Sequence, residues 1–440
     1  MIADMTPSQP SRQNAFHLSL TAGRTGEPAI SDLMRRALAN PDLISLAAGF
    51  VDVESLPVEA TENAIKELLS DPTESRRALQ YGTTQGDPRF RARLIERIER
   101  EENVAPGTFA EMASRTIVTG GSQQLLYLIA EALLDPGDIV IVEDPTYFVF
   151  LGLLASRGAE AIGVSTDEGG LDVDDLERTI ERLDREGRLD RLKLIYTVSE
   201  HGNPTGLSLA AERRAKLVEI ARKWSNKQDI LILEDAAYRN LNFEGSEPPS
   251  VWSFDPDRVI LARTFSKTFS PGLKTGYGIL PTALVAPVLA LKGSHDFGSS
   301  HFLQQVLERV LIDGGYDRQI VRLRELYREK RDVLLNALDR DFGAMETAGL
   351  VTWTRPKGGI YVWLSVPEGV DTGRDGPLFP RCVERGVIYV PGGLATADSS
   401  GTSRHIRLCY GVSKADELTE GIARLAASVA DCLEPAASVA

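Results

Sequence analysis

Apolar residues fall along this chain in two rhythms. Phe90, Leu94 and Ile98 recur every four positions and predict an amphipathic helix over Asp87–Glu101. Compact runs of strand-forming residues follow: Thr116–Val118, Ile139–Val142, Leu192–Val198, Ile230–Leu233 and Val259–Ala262. Helical stretches separate them. One opens at Gly120-Gly121-Ser122-Gln123-Gln124 and stops at Pro136-Gly137; another spans Ala211–Trp224. Strands alternating with helices predict an α/β fold with a mainly parallel sheet covered on both faces. Ahead of this region, residues up to about 28 read as a loose polar arm, Ile30–Ala39 as a short helix, and Ser45–Phe50 as a buried strand or loop. Near Asp313-Gly314-Gly315 the rhythm changes. A long helix over Gln319–Arg340 leads to strand-like runs at Val351–Trp353, Ile360–Leu364, Ile388–Val390 and Ile406–Cys409, which predict a smaller α+β domain.

Composition narrows the class. The 440 residues are 42% hydrophobic and 25% charged, an ordinary globular balance with room for two domains. A formal charge of −14 repels phosphate backbones, so no nucleic acid partner is expected. The longest apolar run, near Tyr147–Ala155, is far short of a membrane span, and the N-terminus lacks the basic start and apolar core of a signal peptide. Three scattered cysteines, Cys382, Cys409 and Cys432, read as reduced thiols in a cytoplasmic protein. Five histidines without i, i+4 pairing suggest no metal site.

The informative residues sit just beyond the strands, on the edge where open α/β sheets bind ligands. Ser122 and Gln123 follow the first strand, Pro145 and Tyr147 the second, Asn203 the third, Asp235 and Tyr238 the fourth, and Lys267 the fifth. Singly, each has a plain reading: Ser122 as an N-cap, Asn203 as a turn residue, Asp235 as half of a structural ion pair. Together they match one ligand. Free N–H groups of the Gly120–Gln123 turn, with Thr264 and Ser266, make a cup for a phosphate. Tyr147 offers a stacking ring, and Asp235 an acid for a ring nitrogen. Asn203 and Tyr238 offer donors for a phenolate oxygen. Lys267, desolvated at a strand mouth, offers an amine for a Schiff base and for general acid/base work. The ligand that asks for this set is pyridoxal 5′-phosphate (PLP).

With these motifs in place, the chain resembles the fold-type I PLP-dependent aminotransferases of class I/II. It is most similar to the branch of 2-aminoadipate and kynurenine aminotransferases and the aminotransferase-like halves of MocR-type regulators. The resemblance rests on SLAAGF (45–50), QYGTTQG (80–86), GGSQQ (120–124), EDPTY (143–147), GNPTG (202–206), EDAAY (234–238), TFSKTFSPGLKTGY (264–277), KGGIYVWL (357–364) and HIRLCYG (405–411), in the family's order. It implies a large PLP-binding domain at 51–312 with a mainly parallel seven-stranded sheet flanked by helices. It implies a small domain at 313–440 and a segment at 1–50 that packs with the latter. It also implies an obligate homodimer in which Tyr81 reaches the neighbouring subunit's cofactor. Arg407 matches the arginine that clamps the substrate α-carboxylate, and Gly49 a backbone position of the substrate pocket, where Asn203 also lies.

Two departures stand out. Lys274 occupies a position where the family usually has a phosphate-binding arginine, keeping the charge but not the fork, and SEHGNPTG replaces an aromatic-Gln pair, so His201 and Gly202 are expected to open or polarise the pocket wall. The implied reaction is transfer of an amino group from an L-amino acid to a 2-oxo acid. Elimination, racemisation, cyclisation or oxidation on the same scaffold uses the same cofactor residues and stays open, as does a ligand-sensing module. The N-terminal segment and the loop near His295–Ser300 are expected to set side-chain selectivity. Arg24, Arg35 and Arg36 are candidates for a distal carboxylate, or else members of a solvated helix face.

Overall fold

The structure, a computed structural model, describes residues 17–26, 40, 42–226, 228–398 and 403–433. The expected helix at 30–39, with Arg35 and Arg36, lies outside them. Within the stretch read as a loose arm, Leu20–Arg24 forms a short exposed helix capped by the Ser19 hydroxyl.

Fourteen strands are described, in chain order: β1 Ile44–Ser45, β2 Thr116–Thr119, β3 Ile139–Asp144, β4 Glu160–Asp167, β5 Gly170–Leu171, β6 Leu192–Thr197, β7 Leu231–Asp235, β8 Val259–Thr264, β9 Gly276–Ile279, β10 Thr352–Trp353, β11 Tyr361–Ser365, β12 Val387–Ile388, β13 Val390–Pro391 and β14 His405–Cys409. The main sheet has the order β2-β9-β8-β7-β6-β3-β4-β5. It contains the expected seven strands plus β5, a two-residue strand that folds back antiparallel on β4. The β8-β7-β6-β3-β4 run is parallel. Because β9 is antiparallel to both β2 and β8, β2 runs in the direction of β8. The carboxyl ends of β2, β3, β6, β7 and β8 therefore share one edge.

Alternation along each strand feeds two cores. Val140 and Val142 of β3 join one apolar cluster, and Ile139 and Ile141 join the other. Helices cover both faces. The helix Pro88–Glu101 starts where expected: Asp87 accepts from the N–H groups of Arg89 and Phe90, Pro88 suits the first turn, and Phe90, Leu94 and Ile98 face inward.

A second sheet, β10-β11-β14-β13, is antiparallel throughout. The run read as one strand at Ile388–Val390 is instead divided. Val387–Ile388 pairs with β1, while Val390–Pro391 joins β14. The helix Gly315–Thr347, longer than expected at 33 residues, packs against Ala415–Leu433. No helix among the described residues is long and apolar enough to cross a membrane.

Candidate active site

The carboxyl edge of the main sheet and one face of the second sheet enclose a cavity of about 320 Å3. It brings together Ser122, Gln123, Tyr147, Asn203, Asp235, Tyr238, Thr264, Ser266, Lys267, Lys274, Arg407 and Gly49. Tyr81, expected to reach a neighbouring subunit's cofactor, lies elsewhere. It is 83% exposed and meets Phe297 edge-on at 5.9 Å.

The cavity holds an amine and a carboxylate, each desolvated. Lys267 Nζ donates to the carbonyl oxygen of Gly49 at 2.7 Å. Burial, reinforced by Arg407 and Lys274, lowers its pKa to about 8. Asp235 ends β7 and is 4% exposed; Tyr196 from the neighbouring strand donates to its Oδ2 at 2.9 Å. Its Oδ1 is buried without a hydrogen-bond partner. Burial raises its pKa to about 6, against the opposing donation from Tyr196. A carboxylate in that condition asks for a cationic or N–H partner from a ligand.

The start of the helix Ser122–Leu133 forms one wall. Gly121, at φ 91°, turns the chain into the helix, whose first N–H groups lack partners within it. Gly276 of β9 packs on this turn: an added Cβ would stand 2.6 Å from Ser122 N and 2.7 Å from Gly121 C. Thr264, the cross-strand partner of Gly276, shares a hydroxyl–hydroxyl bond of 3.0 Å with Ser266. Lys274 adopts a left-handed conformation at φ 45° and adds a positive charge. N–H groups, hydroxyls and an ammonium in this arrangement suit an anion. Tyr147 follows the cis Asp144–Pro145 bond and reaches Gln123 Oε1 at 3.4 Å.

Arg407 projects from β14 and is 2% exposed. Its Nη1 donates to Asn203 Oδ1 at 2.9 Å and its Nη2 to the Ala47 carbonyl at 2.7 Å. Its guanidinium lies 4.5 Å from the Tyr361 ring centroid and 5.4 Å from that of Phe148. No carboxylate among the described residues pairs with it, so a buried cation is left for an anionic ligand.

Behind the cavity, Glu200 straddles two arginines. Its Oε1 accepts from Arg214 Nη1 at 2.9 Å and Arg239 Nη1 at 2.6 Å, all three residues being almost wholly buried. Burial disfavours its charge, but the two guanidiniums hold its pKa well below the usual carboxylate range. Glu200 precedes Asn203 by three positions and Arg239 directly follows Tyr238, so one carboxylate ties these two loops together.

Other expectations resolve differently. His201 does not line the cavity. It packs beneath Gly358 and Gly359, its Nε2 is buried without a partner, and burial lowers its pKa to about 4, which leaves it neutral. Phe297–Ser300 lies instead beside Tyr81. Arg24 stands on the wall of a larger adjoining cavity of about 710 Å3, which shares Gln123, Phe148 and Val149 with the first. Sequence reasoning passed over Tyr361, Phe148 and Tyr196. The first two sit in quoted or neighbouring motifs. Tyr196 carries one phenol in an apolar strand beside another strand's terminal acid, a signal that cross-strand pairing makes visible. Among the described residues no group of three or more His, Cys, Asp or Glu is placed to hold a metal ion.

Known proteins share this architecture. The chain is 35% identical over 404 residues to an uncharacterized aminotransferase of Saccharolobus solfataricus, covering 91% of this chain and 94% of that protein. It is 34% identical over 392 residues to aromatic-amino-acid aminotransferase 1 of Thermococcus litoralis, covering 88% of each. Among solved structures, kynurenine aminotransferase of Pyrococcus horikoshii, in complex with PMP, superposes with a TM-score of 0.86 at 29% identity, covering 95% of this chain and 98% of that one. The model of aminotransferase class I and II matches residues 41–425, and the chain belongs to that family.

Proposed function

We propose that this protein is a PLP-dependent aminotransferase that moves the amino group of an L-amino acid to a 2-oxo acid, with Lys267, Asp235 and Tyr238 as its catalytic residues. The observation that carries the reading is a desolvated amine and a carboxylate with an unpartnered oxygen in one cavity, neither bonded to the other. The residues fit the cofactor. Ser122 and Gln123 at the helix start, Thr264, Ser266 and Lys274 would hold its phosphate, and Tyr147 would cover its ring. The free Oδ1 of Asp235 would pair with the ring nitrogen. Asn203 spends its Oδ1 on Arg407 and keeps its NH2 group to donate, alongside Tyr238, to the ring hydroxyl oxygen. PLP, when bound, supplies a ring that accepts the electron pair of the substrate Cα.

The chain's own groups do the rest. With its pKa near 8, a useful share of Lys267 is neutral near pH 7.5 and can take a proton from Cα and return it. Asp235, near 6, is largely ionised at that pH. Arg407 presents a planar fork to the α-carboxylate. Beyond Phe148 and Val149 the adjoining cavity gives room for a large donor side chain, in keeping with the aromatic amino acid and kynurenine in the relatives' names.

The reading extends to a cytoplasmic homodimer. An exposed aromatic pair, Tyr81 and Phe297, beside a surface hollow supports it. The division at 1–50, 51–312 and 313–440 belongs to it too. The main sheet falls wholly in the second segment and the antiparallel sheet in the third, and β1 pairs with β12. The test is a half-reaction. An L-amino acid added alone to the PLP-loaded protein should yield one equivalent of 2-oxo acid with loss of the visible band, and Lys267→Ala should lack that band. Ammonia released without an acceptor would rule out transamination.

A further inference from the structure

Tyr361 occupies the centre of the cavity wall. It enters from β11, which pairs with β14 so that Tyr361 stands opposite Cys409, two residues from Arg407. Its ring lies beneath the Arg407 guanidinium and meets the Tyr238 ring edge-on at 5.6 Å. The Tyr238 hydroxyl donates to the Tyr361 oxygen at 3.1 Å. Gly49 closes on the same hydroxyl: a Cβ there would stand 2.5 Å from Tyr361 Oη. The hydroxyl thus has a fixed seat, and its side-chain partner among the described residues is Tyr238.

We propose that Tyr361 is a positioning residue that donates its hydroxyl proton to Tyr238 and thereby strengthens Tyr238 as a donor to the ring oxygen of the bound cofactor. This rests on the role given to Tyr238 above. Each phenol has one proton. When Tyr238 redirects its proton from Tyr361 to the ring oxygen, the bond between the two phenols reverses: the Tyr238 oxygen becomes the acceptor, and Tyr361 is the donor placed to fill it. A bond accepted by a hydroxyl polarises the bond it donates, by roughly 10–30% per link. Burial raises the pKa of both phenols, so both keep their protons through the neutral range. The titratable and charged groups facing the pair are Arg407 and Cys409 from β14, Tyr147 after β3, Asp235 from β7, and Lys267 and Lys274 after β8.

The readout is the pH midpoint of the holoenzyme's visible absorbance. The proton on the lysine-linked nitrogen shares the ring oxygen's lone pair. A strong donor from Tyr238 competes for that lone pair and lowers the midpoint. Tyr361→Phe keeps the ring beneath Arg407 and removes the hydroxyl alone. Its midpoint should rise by about 0.2–0.6 pH unit. Tyr238→Phe should raise it by about 1–2 units, and adding Tyr361→Phe to that variant should change nothing further. The Tyr361→Phe enzyme should lose kcat while its KM for the amino donor stays near the wild-type value, because Arg407 keeps its seat. A wild-type midpoint in Tyr361→Phe, with Tyr238→Phe shifted, overturns the proposal and leaves the Tyr238 assignment standing. Equal shifts from Tyr361→Phe in both backgrounds overturn the coupling. An unshifted Tyr238→Phe overturns the Tyr238 assignment, and the proposal with it.

Discussion

Asp235→Asn should make the cofactor-free protein more stable, and the gain should depend on pH. The folded chain raises the Asp235 pKa from 3.8 to about 6 because burial outweighs the help from Tyr196. The native state therefore holds this proton more tightly than the unfolded chain. Stability from this group is fully present below pH 3.8 and is lost as pH climbs through about 6, since the unfolded chain releases the proton first. A displacement of about two units corresponds to about 3 kcal/mol. Asparagine keeps an oxygen for the Tyr196 hydroxyl and never ionises. Linkage then gives Asp235→Asn an advantage of about 1.5 kcal/mol at pH 5, rising to about 3 kcal/mol at pH 8. The assay is urea denaturation of both cofactor-free proteins at one protein concentration across that range, since assembly shifts apparent stability. An Asp235→Asn protein no more stable than wild type at pH 8, or an advantage that does not grow between pH 5 and 8, would refute the claim that this carboxylate is left uncompensated. In the loaded enzyme the preference should invert, with weaker cofactor retention by the variant.

Arg407→Lys keeps the charge but loses the fork, so KM for the amino donor should rise about 10- to 100-fold, read from steady-state kinetics with one donor. Gly276→Ala puts a methyl against the Gly121–Ser122 backbone and should weaken PLP binding, measured by absorbance titration of the cofactor-free protein. Light scattering should give a particle of twice 48.0 kDa, and Tyr81→Phe should weaken cofactor binding without changing that mass.

The parts of the fold that were legible are those whose signals are local. β3, β6, β7 and β8 are dense apolar runs, and the polar residue after each stands at the cavity because parallel strands end on one edge. Strands β4 and β9 gave no such run. β4, near the sheet edge, is mostly exposed or half-buried, with Val164 its one buried residue. β9 carries Gly276 and Gly278, which disfavour a strand locally but are needed where the helix Ser122–Leu133 packs close, with Leu125 against Gly278. The position of His201 was not legible either. Adjacency to Asn203 in sequence suggested the cavity, but a left-handed backbone at φ 47° turns the ring away beneath Gly358. Tyr361 needed the β11–β14 pairing, a contact between distant parts of the chain.

The clamp of Glu200 on Arg214 and Arg239 limits how this enzyme can be remodelled. Removing Glu200 leaves Arg214 buried without a carboxylate partner among the described residues, at a cost of about 3–5 kcal/mol, so changes at Glu200 should be purged in a mutational library. Phe148 and Val149, which belong to no ion pair, form the tolerant wall. New donor preferences should accumulate on that side, leaving the cofactor loops untouched.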